Sequence, residues 1–287
     1  MIVRMGSPAF NVTVNMPMTE CMDEYGPRFD TLGAITSISV DGVEHCTREG
    51  LIDEFNIQAP YSPPGYDEAK PGGTFLKIGV GELVRPDEAI YLFYNKYPIR
   101  KIAPVVIREK KNEVDLKQIC RIQNGWGYEY CKNIIVHPEK SVLEISYSLK
   151  NIGSHVIKAE HYNHNWFSFG SDGIDGAYSI NHSFQAIGPT PKWLREEAGQ
   201  FHLAEKISKP YFYRLDRSVT ADENAFTLRH KSSGQSVRTT GNFDVSRFAI
   251  YADQSAICPE VFACLAINPG ETKTWKNTYE FLKNGHA

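Results

Sequence analysis

The chain has 287 residues, 41% of them hydrophobic and 23% charged, with 31 Lys plus Arg against 34 Asp plus Glu and a formal net charge of −3. That content supports a sizeable core and excludes a disordered chain. The near-neutral balance offers no electrostatic footprint for nucleic acid. The densest charge run, Arg108-Glu-Lys-Lys111, reads as a solvated turn. No stretch of about 18 apolar residues is present to cross a bilayer as a helix. Met1-Ile-Val-Arg-Met-Gly6 lacks the charged start and continuous apolar run of a signal peptide. A cytoplasmic protein with neither membrane nor nucleic-acid partners is expected.

Gly33–Val40 reads as a strand closed by the hairpin turn Asp41-Gly42. Pro60, Pro63-Pro64-Gly65 and Pro71-Gly72-Gly73 make Ala59–Gly73 a long loop rather than a linker, because β-patterned chain flanks it on both sides. Ordered loops of that length on β scaffolds often border a site. Glu88–Tyr97, rich in Tyr and Phe, reads as a strand. Glu113–Gln123 and Trp126–Val136 are the arms of a hairpin turning at Asn124-Gly125. A two-residue turn there sets Cys120 against Glu129 and Cys131 against Gln118, diagonal positions that disfavour a disulfide. Ser141–Leu149 alternates cleanly, with Leu143, Ile145, Tyr147 and Leu149 on one face and Val142, Glu144, Ser146 and Ser148 on the other. That is a half-buried antiparallel strand, and His155–Phe169 continues the meander. Pro191–Lys206, with Trp193-Leu-Arg-Glu-Glu-Ala198, reads as a short helix interrupted by Gly199. Ala225–His230, Gln235–Thr239, Arg247–Ala252, Val261–Ile267 and Lys273–Phe281 complete the pattern. Strands at this spacing, with turn residues between, indicate an all-β antiparallel sandwich or barrel, read here as a single domain over residues 1–287. Exposed edges on so large a sandwich leave room for a homodimer.

Six cysteines do not make a disulfide scaffold in so long a chain. Cys258 and Cys264, six residues apart in one strand, would stand about 20 Å from each other. No Cys-x-x-Cys occurs, so buried free thiols are expected, with no metal and no cofactor.

The densest polar and aromatic segment is Glu160-His-Tyr-Asn-His-Asn-Trp-Phe-Ser-Phe-Gly170, with two histidines, two asparagines and four aromatics. Asn is depleted in strands, and buried Asn and His destabilise unless they find partners. Such a break with local preference is expected at a functional site. Strand alternation puts Tyr162, His164 and Trp166 on one face and His161, Asn163 and Asn165 on the other. His161 and His164 therefore diverge, which disfavours a metal chelate from this pair alone. The plainer alternative is a hydrogen-bonded core histidine beside aromatic packing.

Asn163-His164-Asn165-Trp166-Phe167-Ser168-Phe169-Gly170 resembles the Asn-His-x-Tyr-Phe-Asn-Leu-type segment of galactose mutarotases (aldose 1-epimerases), whose histidine is the catalytic acid. Cys258-Pro-Glu260-Val-Phe-Ala-Cys-Leu-Ala-Ile-Asn-Pro-Gly270 is similar to the family's ending, where a glutamate, the catalytic base, precedes a strand, a Pro-Gly turn and a final strand. Gly33-Ala34-Ile35-Thr36-Ser37-Ile38, leading to Asp41-Gly42, resembles its opening strand and hairpin. The resemblance spans most of the chain in order and implies a β-supersandwich with a carbohydrate ligand. It also implies Glu260 as base and His164 as acid. One departure is clear: no histidine occurs between His45 and His137, where the family carries its second sugar-orienting histidine. Lys77 or Arg85 would have to take its place, in a divergent branch.

Gly79-Val-Gly81 is no phosphate loop, since no Gly-Lys-Ser/Thr and no helix pattern follow; small residues there let backbone approach a ligand or mark a bulge. Lys77 could contact an anionic sugar, though a surface lysine is the plainer reading. Arg28 and Asp30 share a strand face if that segment is extended, as an ion pair or as brackets for a hydroxyl-rich ligand. Sugars present apolar ring faces and a hydroxyl rim, which aromatic platforms and polar edges satisfy together. Trp126, Tyr128, Tyr162 and Trp166 are the candidate platforms. The expected function is cofactor-free acid–base interconversion of sugar anomers, with Arg28, Asp30, Lys77, His161, Asn163 and Trp166 as further ligand contacts. A lyase or epimerase acting on an acidic or oxidised sugar is the first alternative, with Lys77 as the cation for an enolate. A non-catalytic carbohydrate-binding module is the second.

Overall fold

Period-two alternation builds this protein. In the computed structural model, which describes residues 1–16, 25–57, 60–170, 173–183, 189–215 and 218–283, Leu143, Ile145, Tyr147 and Leu149 are buried while Val142, Glu144, Ser146 and Ser148 are half-buried on the opposite face. Each apolar side chain so buried contributes about 1.5–3 kcal/mol. A one-residue slip would turn all of them outward, so the pattern also sets the register.

Nine strands form one sheet. Its main path runs Ile2–Gly6, Phe10–Asn15, Ala34–Val40, Cys46–Phe55, Ile157–Phe167, Ile257–Ile267, Val245–Ala252 and Tyr211–Leu215, with Val43–Glu44 paired to Ala34–Val40. Ten strands form the second, in the order Leu194–Glu197, Gln200–Leu203, Tyr178–His182, Ala225–His230, Gln235–Gly241, Thr272–Lys283, Val142–Asn151, Gly127–His137, Glu113–Arg121 and Val105–Lys110. Thr74–Lys77, Gly81–Val84 and Ile99–Ile102 make a small third sheet. The pairings are antiparallel. The core fills the space between the two large sheets, where Phe10 meets Phe281, Phe55 meets Tyr130 and Trp275, and Phe167 meets Tyr279. The architecture is thus the expected all-β antiparallel sandwich. No helix among the described residues is long and apolar enough to cross a membrane.

Three local expectations fail, each for a physical reason. Pro191–Lys206 holds no helix; Leu194–Glu197 and Gln200–Leu203 form a hairpin whose turn residues Ala198 and Gly199 sit at φ 50° and 78°. Trp193, Leu194, Phe201 and Leu203 are buried there, so tertiary burial of alternating apolar residues outweighs helix propensity. Glu88–Tyr97 is irregular, not a strand. Its aromatics build a satellite core instead, with Tyr91 stacked on Tyr97 at 5.1 Å and both packed on Tyr66 and Phe75. Finally, the hairpin at Asn124-Gly125 has a three-residue loop: Ile122 N–H donates to the Trp126 carbonyl, and Gly125 takes φ 87°. The register moves by one, so Cys120 faces Tyr128 and Cys131 faces Lys117. The two thiols stay apart, and Cys46, Cys120, Cys131, Cys258 and Cys264 are all free.

Candidate active site

The unusual segment lies on Ile157–Phe167, a central strand flanked by Cys46–Phe55 and Ile257–Ile267. Its two faces have separate fates. His161, Asn163 and Asn165 point between the sheets: His161 accepts from Trp275 Nε1 at 3.0 Å, and Asn165 Oδ1 accepts from the Tyr279 hydroxyl at 3.1 Å. Tyr162, His164 and Trp166 line a cavity of about 640 Å³ on the outer side of the nine-stranded sheet.

Register explains the cavity's chemical centre. His161 pairs with Ala263 and Phe167 with Ile257, and the same offset sets His164 directly opposite Glu260. His164 Nδ1 stands 2.7 Å from Glu260 Oε1, with the residues 6% and 2% exposed. The contact is short but off-axis, so neither atom has an in-line hydrogen bond. The imidazole stacks on Trp166 at 4.8 Å and 18° and meets Phe29 edge-on at 5.9 Å. Trp166 Nε1 is buried and has no partner within the protein. Phe93, Phe212, Tyr251 and Phe262 add aromatic wall.

Arg28, Arg214 and Arg247 also line the cavity, and Arg28 and Arg247 are each matched to a buried carboxylate. Arg28 Nε donates to both Glu54 oxygens at 3.0 Å, and the Tyr162 hydroxyl donates to the same carboxylate at 2.5 Å. Burial opposes the Arg28 charge, but Glu54 and Tyr162 outweigh it, and its pKa is raised. The guanidinium packs 4.5 Å from the Phe29 and Phe93 ring centres. Arg247 pairs with Glu160 at 2.6 Å and lies 3.9 Å over Phe262.

The remaining expected ligand contacts are not in the cavity. Arg28 and Asp30 do not share a face, because the chain turns at Pro27-Arg28 and sends Asp30 inward. Asp30, His161 and Asn163 belong to a polar cluster sealed between the sheets around Asp53. The Asp53 carboxylate meets Lys132 Nζ at 2.5 Å, His161 Nε2 at 3.1 Å, Asn163 Nδ2 at 3.0 Å and the Tyr147 hydroxyl at 2.8 Å. Asp30 accepts from the Tyr130 hydroxyl at 3.0 Å and the Leu32 N–H at 2.7 Å. Gly79, at φ 83°, has its close approach to Asp30: an added Cβ would lie 2.4 Å from Asp30 Oδ1. Lys77 is buried, donating to the Phe55 carbonyl and to the Tyr91 hydroxyl; burial pushes its pKa down to about 8. Arg85 donates to the carbonyls of Tyr66, Ala69, Asp87, Glu88 and Ala89, holding the proline-rich loop. Tyr128 is fully buried and donates to Gln118, while Trp126 stacks on His155, so neither is a platform in the cavity.

The two carboxyls near Lys132 titrate in opposite directions. Burial raises Asp53, but Lys132 and His161 outweigh it and the pKa is lowered. Burial dominates at Asp30, where Lys132 only partly offsets it and Asp53 adds to it, so the pKa is pushed up to about 7. A carboxyl that binds its proton more tightly when folded favours the folded state at low pH. That advantage is lost as pH rises from the ordinary carboxylate range through about 7. Asp30→Asn keeps an acceptor for Leu32 N–H and removes this titration. Thermal unfolding of the wild type should therefore lose stability relative to the variant between about pH 4 and pH 7. Parallel profiles would refute it.

Sequence reading did not single out Glu54, Arg247, Tyr251, Phe212 or Arg214. A signal for Glu54 was present: Asp53-Glu54 sits between Leu51-Ile52 and Phe55, and adjacent acids inside an apolar strand must each find a buried partner.

No family model matches the sequence, and no curated protein matches it. Solved structures do. A galactose mutarotase related enzyme from Lactobacillus acidophilus superposes with TM-score 0.62 over 100% of this chain and 99% of its own, at 11% identity. A galactose mutarotase-like protein from Lactobacillus casei gives 0.60 over 98% and 100%, at 12% identity. This is the galactose mutarotase-like fold. A third example of the fold, an aldose epimerase homologue from C. elegans, gives 0.58 over 99% of both chains at 10% identity. Within the galactose mutarotase-like fold, the cavity described above occupies the outer face of the nine-stranded sheet.

Proposed function

We propose that this chain is an aldose 1-epimerase-type enzyme that interconverts the anomers of a sugar without a cofactor, with Glu260 as base and His164 as acid. The observation that carries the reading is the His164–Glu260 pair, 2.7 Å apart in the wall of an aromatic-lined cavity. The names of solved proteins sharing the fold support it.

The two groups touch rather than bracket a pyranose, and the chemistry tolerates this. The anomeric hydroxyl and the ring oxygen are bonded to one carbon, so neighbouring side chains can serve both. Glu260 takes the proton from the anomeric hydroxyl, and the imidazole of His164 delivers one to the ring oxygen as its bond to the anomeric carbon breaks. Rotation of the aldehyde and the reverse transfers give the other anomer and restore both groups. Trp166 and Tyr251 wall the cavity beside the pair with apolar ring surface suited to a sugar's apolar side. The elimination alternative leans on Lys77, whose ammonium is engaged by Phe55 and Tyr91 away from the cavity.

The test is one-dimensional proton NMR on a panel of free sugars and uronides. Faster anomer exchange for at least one sugar is expected. Vinylic protons from a uronide would replace the reading with elimination. Binding without exchange, unaltered by Glu260→Gln, would replace it with a binding module.

A further inference from the structure

Cys258 precedes Glu260 by two residues on Ile257–Ile267, so both side chains leave the same face of the strand as it pairs with the His164 strand. One ligand atom from each of His164, Cys258 and Glu260 lies within 4.8 Å of the other two, and all three residues are buried. Cys258 is in no disulfide. His164 Nδ1 and Glu260 Oε1 face each other at 2.7 Å without an in-line hydrogen bond and have no other partner. A buried imidazole, thiol and carboxylate converging on one point, two of their atoms without an in-line hydrogen bond, could serve as ligands to a shared cation once they spread to coordination distance.

The donor set selects the cation. Mg²⁺ and Ca²⁺ take oxygen ligands, whereas one thiolate, one imidazole and one carboxylate suit a borderline-soft ion. In a tetrahedral zinc site, bonds of about 2.0–2.3 Å put ligand atoms roughly 3.3–3.6 Å apart, so closure needs side-chain movement of about 1 Å. His164 and Glu260 also line the cavity, which leaves a fourth position for water or a ligand.

We propose that His164, Cys258 and Glu260 form a three-ligand site for a Zn²⁺-class cation, open to the cavity. A cation there takes the ring nitrogen and the carboxylate needed for proton transfer, so zinc inhibits anomerisation. This consequence rests on the function proposed above; cation binding does not.

The test uses the metal-stripped full chain titrated with Co²⁺ alone. One equivalent should produce tetrahedral visible absorption and a thiolate-to-cobalt charge-transfer band, both abolished by Zn²⁺. Cys258→Ser should remove the charge-transfer band, and His164→Gln should weaken binding by roughly tenfold or more. Cys264→Ser, which alters an exposed thiol elsewhere on the strand, should keep the band. Absence of the band in the wild type, or its survival in Cys258→Ser, overturns the site. Zinc that accelerates anomer exchange overturns the inhibition. A chain with the band but no anomer exchange defeats the proposed function and keeps the site; exchange without the band does the reverse.

Discussion

Glu260→Gln is expected to lower the turnover number for sugar anomerisation by about 10²–10⁴-fold, the range for loss of one general acid–base group. The substitution preserves side-chain size and removes the proton acceptor. Two observations make the effect specific to chemistry. Glu260 lines the cavity at 2.7 Å from His164, so the change falls in the wall of the proposed substrate cavity. Its backbone is held between the Ile157–Phe167 and Val245–Ala252 strands, and the glutamine amide keeps the side chain's size and shape there. Proton NMR exchange rates, with circular dichroism as the check on folding, decide the matter. Wild-type exchange in a folded Glu260→Gln variant would remove Glu260 from the mechanism.

Lys132→Met is expected to destabilise the protein by about 3–5 kcal/mol, the cost of stripping one partner from a buried ion pair. Lys132 and Asp53 are 1% and 0% exposed, and Lys132 Nζ also donates to the Gly33 carbonyl at 2.7 Å. Without the ammonium, the fully buried Asp53 carboxylate keeps only His161, Asn163 and Tyr147. The damage is the stranded charge rather than the lost attraction, so Lys132→Met/Asp53→Asn should be less destabilised than Lys132→Met alone. Urea unfolding of the three proteins measures this. A Lys132→Met variant within about 1 kcal/mol of wild type would show that Asp53 takes up a proton and needs no partner.

Much of this was legible along the chain. The alternation at Leu143, Ile145, Tyr147 and Leu149 announced a half-buried strand, and the crowding of His, Asn and Trp between 160 and 170 fell on the strand that lines the candidate cavity. Strand parity placed His164 and Trp166 on the face opposite His161 and Asn163. Other features misled. Trp193–Ala198 has helix-forming residues, yet the buried pair Phe201 and Leu203 draws it into a hairpin. The tyrosines of Glu88–Tyr97 carry β propensity, yet they pack on Tyr66 and Phe75 without pairing as a strand.

The sequence by itself determined what is periodic and local: the strands, their turns, which residues share a face, and the chemical oddity of one strand. Only the tertiary structure decided which distant residues meet. Two-residue parity says which side of a strand a group leaves, but not which strand lies alongside or what fills the space beyond. Pairing of Ile157–Phe167 with Ile257–Ile267 turned an imidazole and a carboxyl 96 positions apart into neighbours. The opposing sheet claimed Asp30, His161 and Asn163 for the interior, where Asp53 and Asp30 need buried partners more than a ligand needs them.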